Sequence, residues 1–139
     1  KVLVEEIHSV VVATVDETGH PHTAVMDMMW EDGKTVYFLT ADFKPLYKRL
    51  KEDGRVAVTG MTQGAGTMDR KSISLTGQVG WIGKEHLEEL LKANPYMYEI
   101  YPTEEGRSHL QVFRFKNAVG NFYDLTQLPP YQARFEIEG

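Results

Sequence analysis

Three β-rich runs separated by short acidic turns confine the first forty residues of this chain to an antiparallel meander. Val10–Val15 is β-branched almost throughout and runs into Asp16-Glu17-Thr18-Gly19, a turn. His22–Trp30 returns, Glu31-Asp32-Gly33-Lys34 turns again, and Thr35–Thr40 forms a third strand. Turns of this length leave no room for a crossover, so neighbours pair antiparallel.

The period then changes. Leu46 and Leu50, with Tyr47 between them, predict a short amphipathic helix over Pro45–Glu52, closed by Asp53-Gly54. Strands resume from Arg55: Val56–Met61 and Lys71–Ile82 read as a pair joined by the polar, glycine-rich loop Thr62–Arg70. Leu87, Leu90 and Leu91 mark one face of a helix that begins near Lys84 and stops before Asn94-Pro95. An aromatic cluster of Tyr96, Tyr98 and Tyr101 follows. Leu110–Phe115 and Ala118–Leu125 read as two final strands, with an irregular tail from Pro129-Pro130. Six or seven short strands with inserted helices predict a mainly β chain curled into a small antiparallel barrel.

Composition narrows the function classes. The 139 residues fit one domain spanning 1–139. Fifteen basic against twenty acidic residues give a net charge of -5, which argues against a nucleic-acid or anionic-membrane surface. With no cysteine there is no thiolate nucleophile, iron–sulfur cluster or Cys-based zinc site, so redox chemistry requires a bound cofactor. No apolar run approaches the roughly 20 residues of a membrane span and no signal peptide is visible, so the expected location is the cytoplasm. Because the sequence starts at Lys1 without a methionine, an N-terminal segment is expected to have been left out.

The most unusual local feature is Lys44, placed directly before a proline that suits the first helical position. A cation there opposes the helix dipole by about 0.3 to 1 kcal/mol unless an anion occupies the free amide nitrogens and the ammonium together. Two readings follow from the segment: a phosphate is bound, or Asp42 supplies the negative charge and Lys44 points into water.

Other residues carry weaker signals. His8, His20, His22, His86 and His109 lack metal-ligand spacing, and no zinc or other metal site is proposed. Ser72, Ser74 and Thr76 share one strand face without a His–Asp pair placed beside them, which disfavours a hydrolase triad. Met26, Met28 and Met29 surround Asp27 beside Trp30; such residues suit a core or dimer face. Lys48, Arg49 and Lys51 read as a solvated helix face from which one side chain can reach a phosphate. No side chain stands out as a catalytic acid or base.

The order of these pieces resembles the FMN-binding split-barrel superfamily, whose best-known member is pyridoxamine 5′-phosphate oxidase. The resemblance rests on Val12–Pro21, Tyr37-Phe38-Leu39-Thr40, Lys44, Arg55-Val56-Ala57-Val58 and Ser72–Gly77, with the region through Phe122-Tyr123-Asp124 similar to the NimC/NimA-type branch. It implies an antiparallel six- to seven-stranded split β-barrel with short helices. It also implies FMN, with its phosphate on Lys44 and contacts from Leu39 and Thr40. The flavin is implied to lie along Ala24–Met29, including Met26, Asp27, Met28 and Met29, and against Ser72 or Ser74, at the interface of a homodimer.

The implied activity is that of an oxidoreductase passing electrons from a reduced nicotinamide donor to a small-molecule substrate. The alternative is a non-catalytic module that stores or senses flavin, heme or deazaflavin. The chain departs from the oxidase at Ala24, Met29 and Phe43, where relatives place basic residues. Phe43 also replaces a histidine of the nitroimidazole-resistance members, and the oxidase's C-terminal pyridoxal-phosphate segment is unmatched. Oxidation of pyridoxamine phosphate is therefore not expected.

Overall fold

The computed structural model describes residues 1–139. After a single wide helical turn over Val2–Ile7, the strands are β1 (Ser9–Val15), β2 (Pro21–Asp27), β3 (Trp30–Glu31), β4 (Val36–Ala41), β5 (Arg55–Met61), β6 (Lys71–Gly83), β7 (Leu110–Asp124) and β8 (Tyr131–Glu138). Helices α1 (Pro45–Glu52), α2 (Leu87–Ala93), α3 (Met97–Ile100) and α4 (Glu104–Arg107) are inserted between them. The antiparallel sheet runs β2-β1-β5-β6-β7-β4-β3. The mainly β split barrel expected from the sequence is thus present, with one strand more than expected.

β7 organises the sheet. One edge pairs with β6 from Val112 to Asp124, whereas the other is shared: Leu110–Arg114 pair with β4, and Asn117–Asp124 pair with β8. The two strands read over Leu110–Leu125 are one, because the ladder absorbs Lys116 through a register shift between Gln78 and Val79 on β6. The tail after Pro129-Pro130 is not irregular. It returns as β8, burying Phe135 and Ile137 partially against the main core.

Two cores explain why all six residues of β4 are buried. Val36 and Phe38 face the barrel interior with Phe113, Phe115 and Leu46. Tyr37, Leu39 and Ala41 face a second cluster with Leu90, Leu91 and Met97, so the helices cover the other side of the strand. β2 ends at Asp27 and not at Trp30, because the next two amides turn inward: Met28 N donates to His8 O at 2.7 Å and Met29 N to Tyr37 O at 3.0 Å.

α1 forms where the sequence places it. Lys44 is its N-cap in extended conformation (φ -88°, ψ 142°), Pro45 opens it, and Leu46 and Leu50 are its buried face.

Candidate functional site

A cleft of about 540 Å³ opens between β2, the end of β4, α1 and α3. That volume lies within the range of small-molecule and cofactor sites. Its apolar surface comes from Met26, Met29 and Leu39 on one side and Met97 and Ile100 on the other. Thr40, Lys44 and Arg49 supply polar groups along the α1 side, and Asp27 is the one carboxylate in the lining.

The reading in which Asp42 supplies the negative charge at the start of α1 does not hold. The Asp42 carboxylate turns to β7, where Oδ1 accepts from His109 Nδ1 at 2.9 Å and Oδ2 from Gln111 Nε2 at 3.4 Å. Lys44 is exposed at the cleft and makes no ion pair, so Asp42 does not neutralise it.

Of Lys48, Arg49 and Lys51, read as a solvated face from which one side chain can reach a phosphate, Arg49 is the one that lines the cleft. It stands three residues after Leu46 and one before Leu50, at the border of the buried stripe, and that spacing is the signal that locates it. Its Nε donates at 2.8 Å to Oγ1 of Thr14, which is 2% exposed. Thr14 holds the guanidinium without neutralising it, and no carboxylate pairs with it. The other cations of α1 do lie outside the cleft: Lys51 sits 4.2 Å over the Trp81 ring and Lys48 lies 3.8 Å from Glu17.

The remaining expected residues divide. Met26, Asp27, Met29, Leu39, Thr40 and Lys44 line one cleft. Met28 is 0% exposed within the main core. Ser72 and Ser74 lie on β6, away from that lining; Ser74 Oγ is 3.1 Å from Thr59 Oγ1, in a shallow depression on the outer sheet face.

Asp27 is tied on both oxygens. Oδ1 accepts from Ser9 Oγ at 2.6 Å and Oδ2 from the Tyr96 hydroxyl at 2.7 Å, while His8 Nε2 lies 3.5 Å from Oδ2. Partial burial pushes the carboxyl up, but the bonds from Ser9 and Tyr96 and the charge of His8 outweigh it, leaving Asp27 below the usual carboxylate range. Burial first, and then the Asp27 carboxylate, push the Tyr96 phenol up.

Comparison with known proteins places this architecture. A family model described as pyridoxamine 5′-phosphate oxidase matches residues 1–123. No curated protein matches the sequence. Among solved structures, a NimC/NimA family protein from Clostridium acetobutylicum aligns with a TM-score of 0.77 and 21% identity, covering 96% of this chain and 87% of that one. A second protein of that organism, related to general stress protein 26 and described as of the pyridoxinephosphate oxidase family, gives 0.65 and 20%, covering 94% of this chain and 86% of its own. An FAD and heme binding protein from Mycobacterium smegmatis gives 0.59 and 17%, covering 81% of this chain and 62% of that one. At these identities the likeness is one of fold.

Proposed function

We propose, from the premise that the chain belongs to the pyridoxamine 5′-phosphate oxidase family, that its cleft holds FMN and that the protein is a flavin-dependent oxidoreductase. Electrons pass from a reduced nicotinamide donor to a small acceptor. The observation that carries this reading is the pair Lys44 and Arg49, two cations without carboxylate partners on the α1 side of a largely apolar cleft.

That donor set fits a phosphate joined to a flat apolar ring. Lys44 and Arg49 would hold the phosphate by charge-assisted hydrogen bonds, with the α1 amide nitrogens beside them. Met26, Met29 and Leu39 would pack on the ring. When bound, FMN supplies the hydride and electron transfer; the chain binds it, orients it and limits its contact with water. A second copy of the chain is expected to complete the site. No helix is long and apolar enough to cross a membrane.

The alternative, a module that binds flavin, heme or deazaflavin without turnover, draws on the FAD and heme named for the mycobacterial relative.

The absorption spectrum of the purified protein, or its uptake of added FMN, tests the cofactor. Lys44→Ala is expected to weaken FMN about tenfold or more, as for one lost charge-assisted bond, while leaving riboflavin, which lacks the phosphate, unchanged. Equal loss for both flavins would remove the phosphate assignment, and a protein that takes up neither would remove the flavin. Anaerobic bleaching by NADH or NADPH separates reductase from binder.

A further inference from the structure

A second cavity, of about 300 Å³, opens at the other end of β4 from the cleft. Val36 lines it at the start of the strand, whereas Leu39–Ala41 line the cleft at its end, and the two linings share no residue. The deeper part is barrel core: Leu3, Val36 and Ile73 are all buried. Its sides come from Phe122 of β7, Phe135 and Ile137 of β8 and Val2 of the wide helical turn. All four pack on the core yet stay partly exposed, so this is apolar surface that water reaches.

Charge enters this lining through Lys1, Lys34 and Glu31. Glu31 is its single carboxylate, and Oε2 accepts from Gly33 N at 2.8 Å, closing its own turn. The lysines that pair with carboxylates are Lys48 and Lys71; Lys1 and Lys34 form no ion pair and are exposed. Thr35, buried in the lining, donates its hydroxyl to Phe115 O at 2.7 Å. The cavity therefore offers apolar walls and two free cations. An anionic head beside those lysines is attracted and an ammonium repelled, while an apolar tail leaves water. Taking liquid water's share of about 30 Å³ for each heavy atom, the volume holds about ten, the size of an eight-carbon carboxylate.

We propose that this cavity is a second ligand site, separate from the cleft, for a carboxylate with an apolar tail of about eight carbons. The tail lies on Ile73, Phe135 and Ile137, and the head stays at the surface with Lys1 and Lys34. Such a tail touches β8 and the helical turn at once. Because β8 pairs with β7 alone, occupancy adds a second set of contacts that fasten it to the core. The proposal does not depend on what the cleft holds.

Isoleucine methyl groups report where such a ligand sits, since Ile73 and Ile137 line the cavity, Ile100 lines the cleft and Ile82 lines neither. In protein labelled with carbon-13 at the isoleucine δ1 methyls, sodium octanoate is expected to shift Ile73 and Ile137 saturably while Ile82 and Ile100 stay in place. Hexanoate, two methylenes shorter, should bind about tenfold more weakly. Octylammonium, with the same tail and the opposite charge, should bind about threefold or more weaker than octanoate. Lys34→Glu alters an exposed side chain, so it should weaken octanoate about threefold or more and leave octan-1-ol, which has no charge, unchanged. Shifts that fail to saturate or that centre on Ile100 overturn the site. Octylammonium binding as tightly as octanoate, or Lys34→Glu binding octanoate as tightly as the parent, overturns the carboxylate as its ligand.

Discussion

Asp32 holds the turn into β4 by accepting hydrogen bonds from the amides of Lys34 and Thr35, both at 2.9 Å, and from the Tyr37 hydroxyl at 2.7 Å. Burial raises its carboxyl, but these bonds outweigh that effect and bring it down to about 2, while burial and Asp32 push the Tyr37 phenol up to about 12. Because the folded value lies below the roughly 3.9 of an unfolded aspartate, the unfolded chain binds the proton first. The stabilisation is complete above about pH 4 and disappears as pH falls towards about 2. Asp32 is solvent-exposed, so screening keeps the effect to about 1 kcal/mol or less. Asp32→Asn is therefore expected to melt about 2–4 °C lower than the parent at pH 6, with the difference closing near pH 2. A deficit that stays constant from pH 6 to pH 2 would mean that the carboxylate charge is not what the turn uses.

Among the elements, β6 and β7 approach most tightly at Gly77. A Cβ there would collide with the Asn117 carbonyl oxygen and with Cα and Cβ of Ala118, and backbone cannot swing aside as a side chain does. Gly77→Ala is expected to cost about 3 kcal/mol, lowering the melting temperature by about 10 °C. Gly66, where an added Cβ meets nothing, is the matched control, and equal losses at both positions would remove the steric explanation. The sequence announces Gly77 only as a glycine inside a strand, since the pressure comes from the opposite strand.

The same distinction between local and distant causes decides what could be read in advance. α1 was legible to the residue because Pro45, the Leu46/Leu50 spacing and Asp53-Gly54 are local signals. β8 does alternate Ala133, Phe135 and Ile137 with charged residues, but two prolines precede it and its pairing with β7 is invisible in one dimension. The unity of β7 depends on β6 absorbing Lys116. In the cleft, Lys44 was legible from its helix position. The spacing of Arg49 from Leu46 and Leu50 puts it at the border of the buried stripe, but which way it turns rests on the Thr14 contact, and the link from Tyr96 to Asp27 joins residues 69 positions apart.

At the scale of the whole molecule, the cleft and the outer sheet face meet at Val25. It lines the cleft, is 73% exposed, and pairs in the sheet with Val11, itself 40% exposed. Val11 borders the shallow depression that continues across Ala57, Thr59 and Thr76 to Val119, which is 43% exposed. A face this apolar is costly to leave in water, and a second copy seated on it would cover the open side of the cleft. Dimer formation and flavin retention should therefore be linked. Val25→Asp places a charge where that contact would be dry, so sedimentation is expected to show a shift from dimer to monomer together with weaker FMN binding. Lys44→Ala should weaken FMN binding while the dimer persists. If Val25→Asp leaves a dimer with full FMN affinity, the partner sits elsewhere; if it yields a monomer that still binds FMN as tightly, the cleft is complete within one chain.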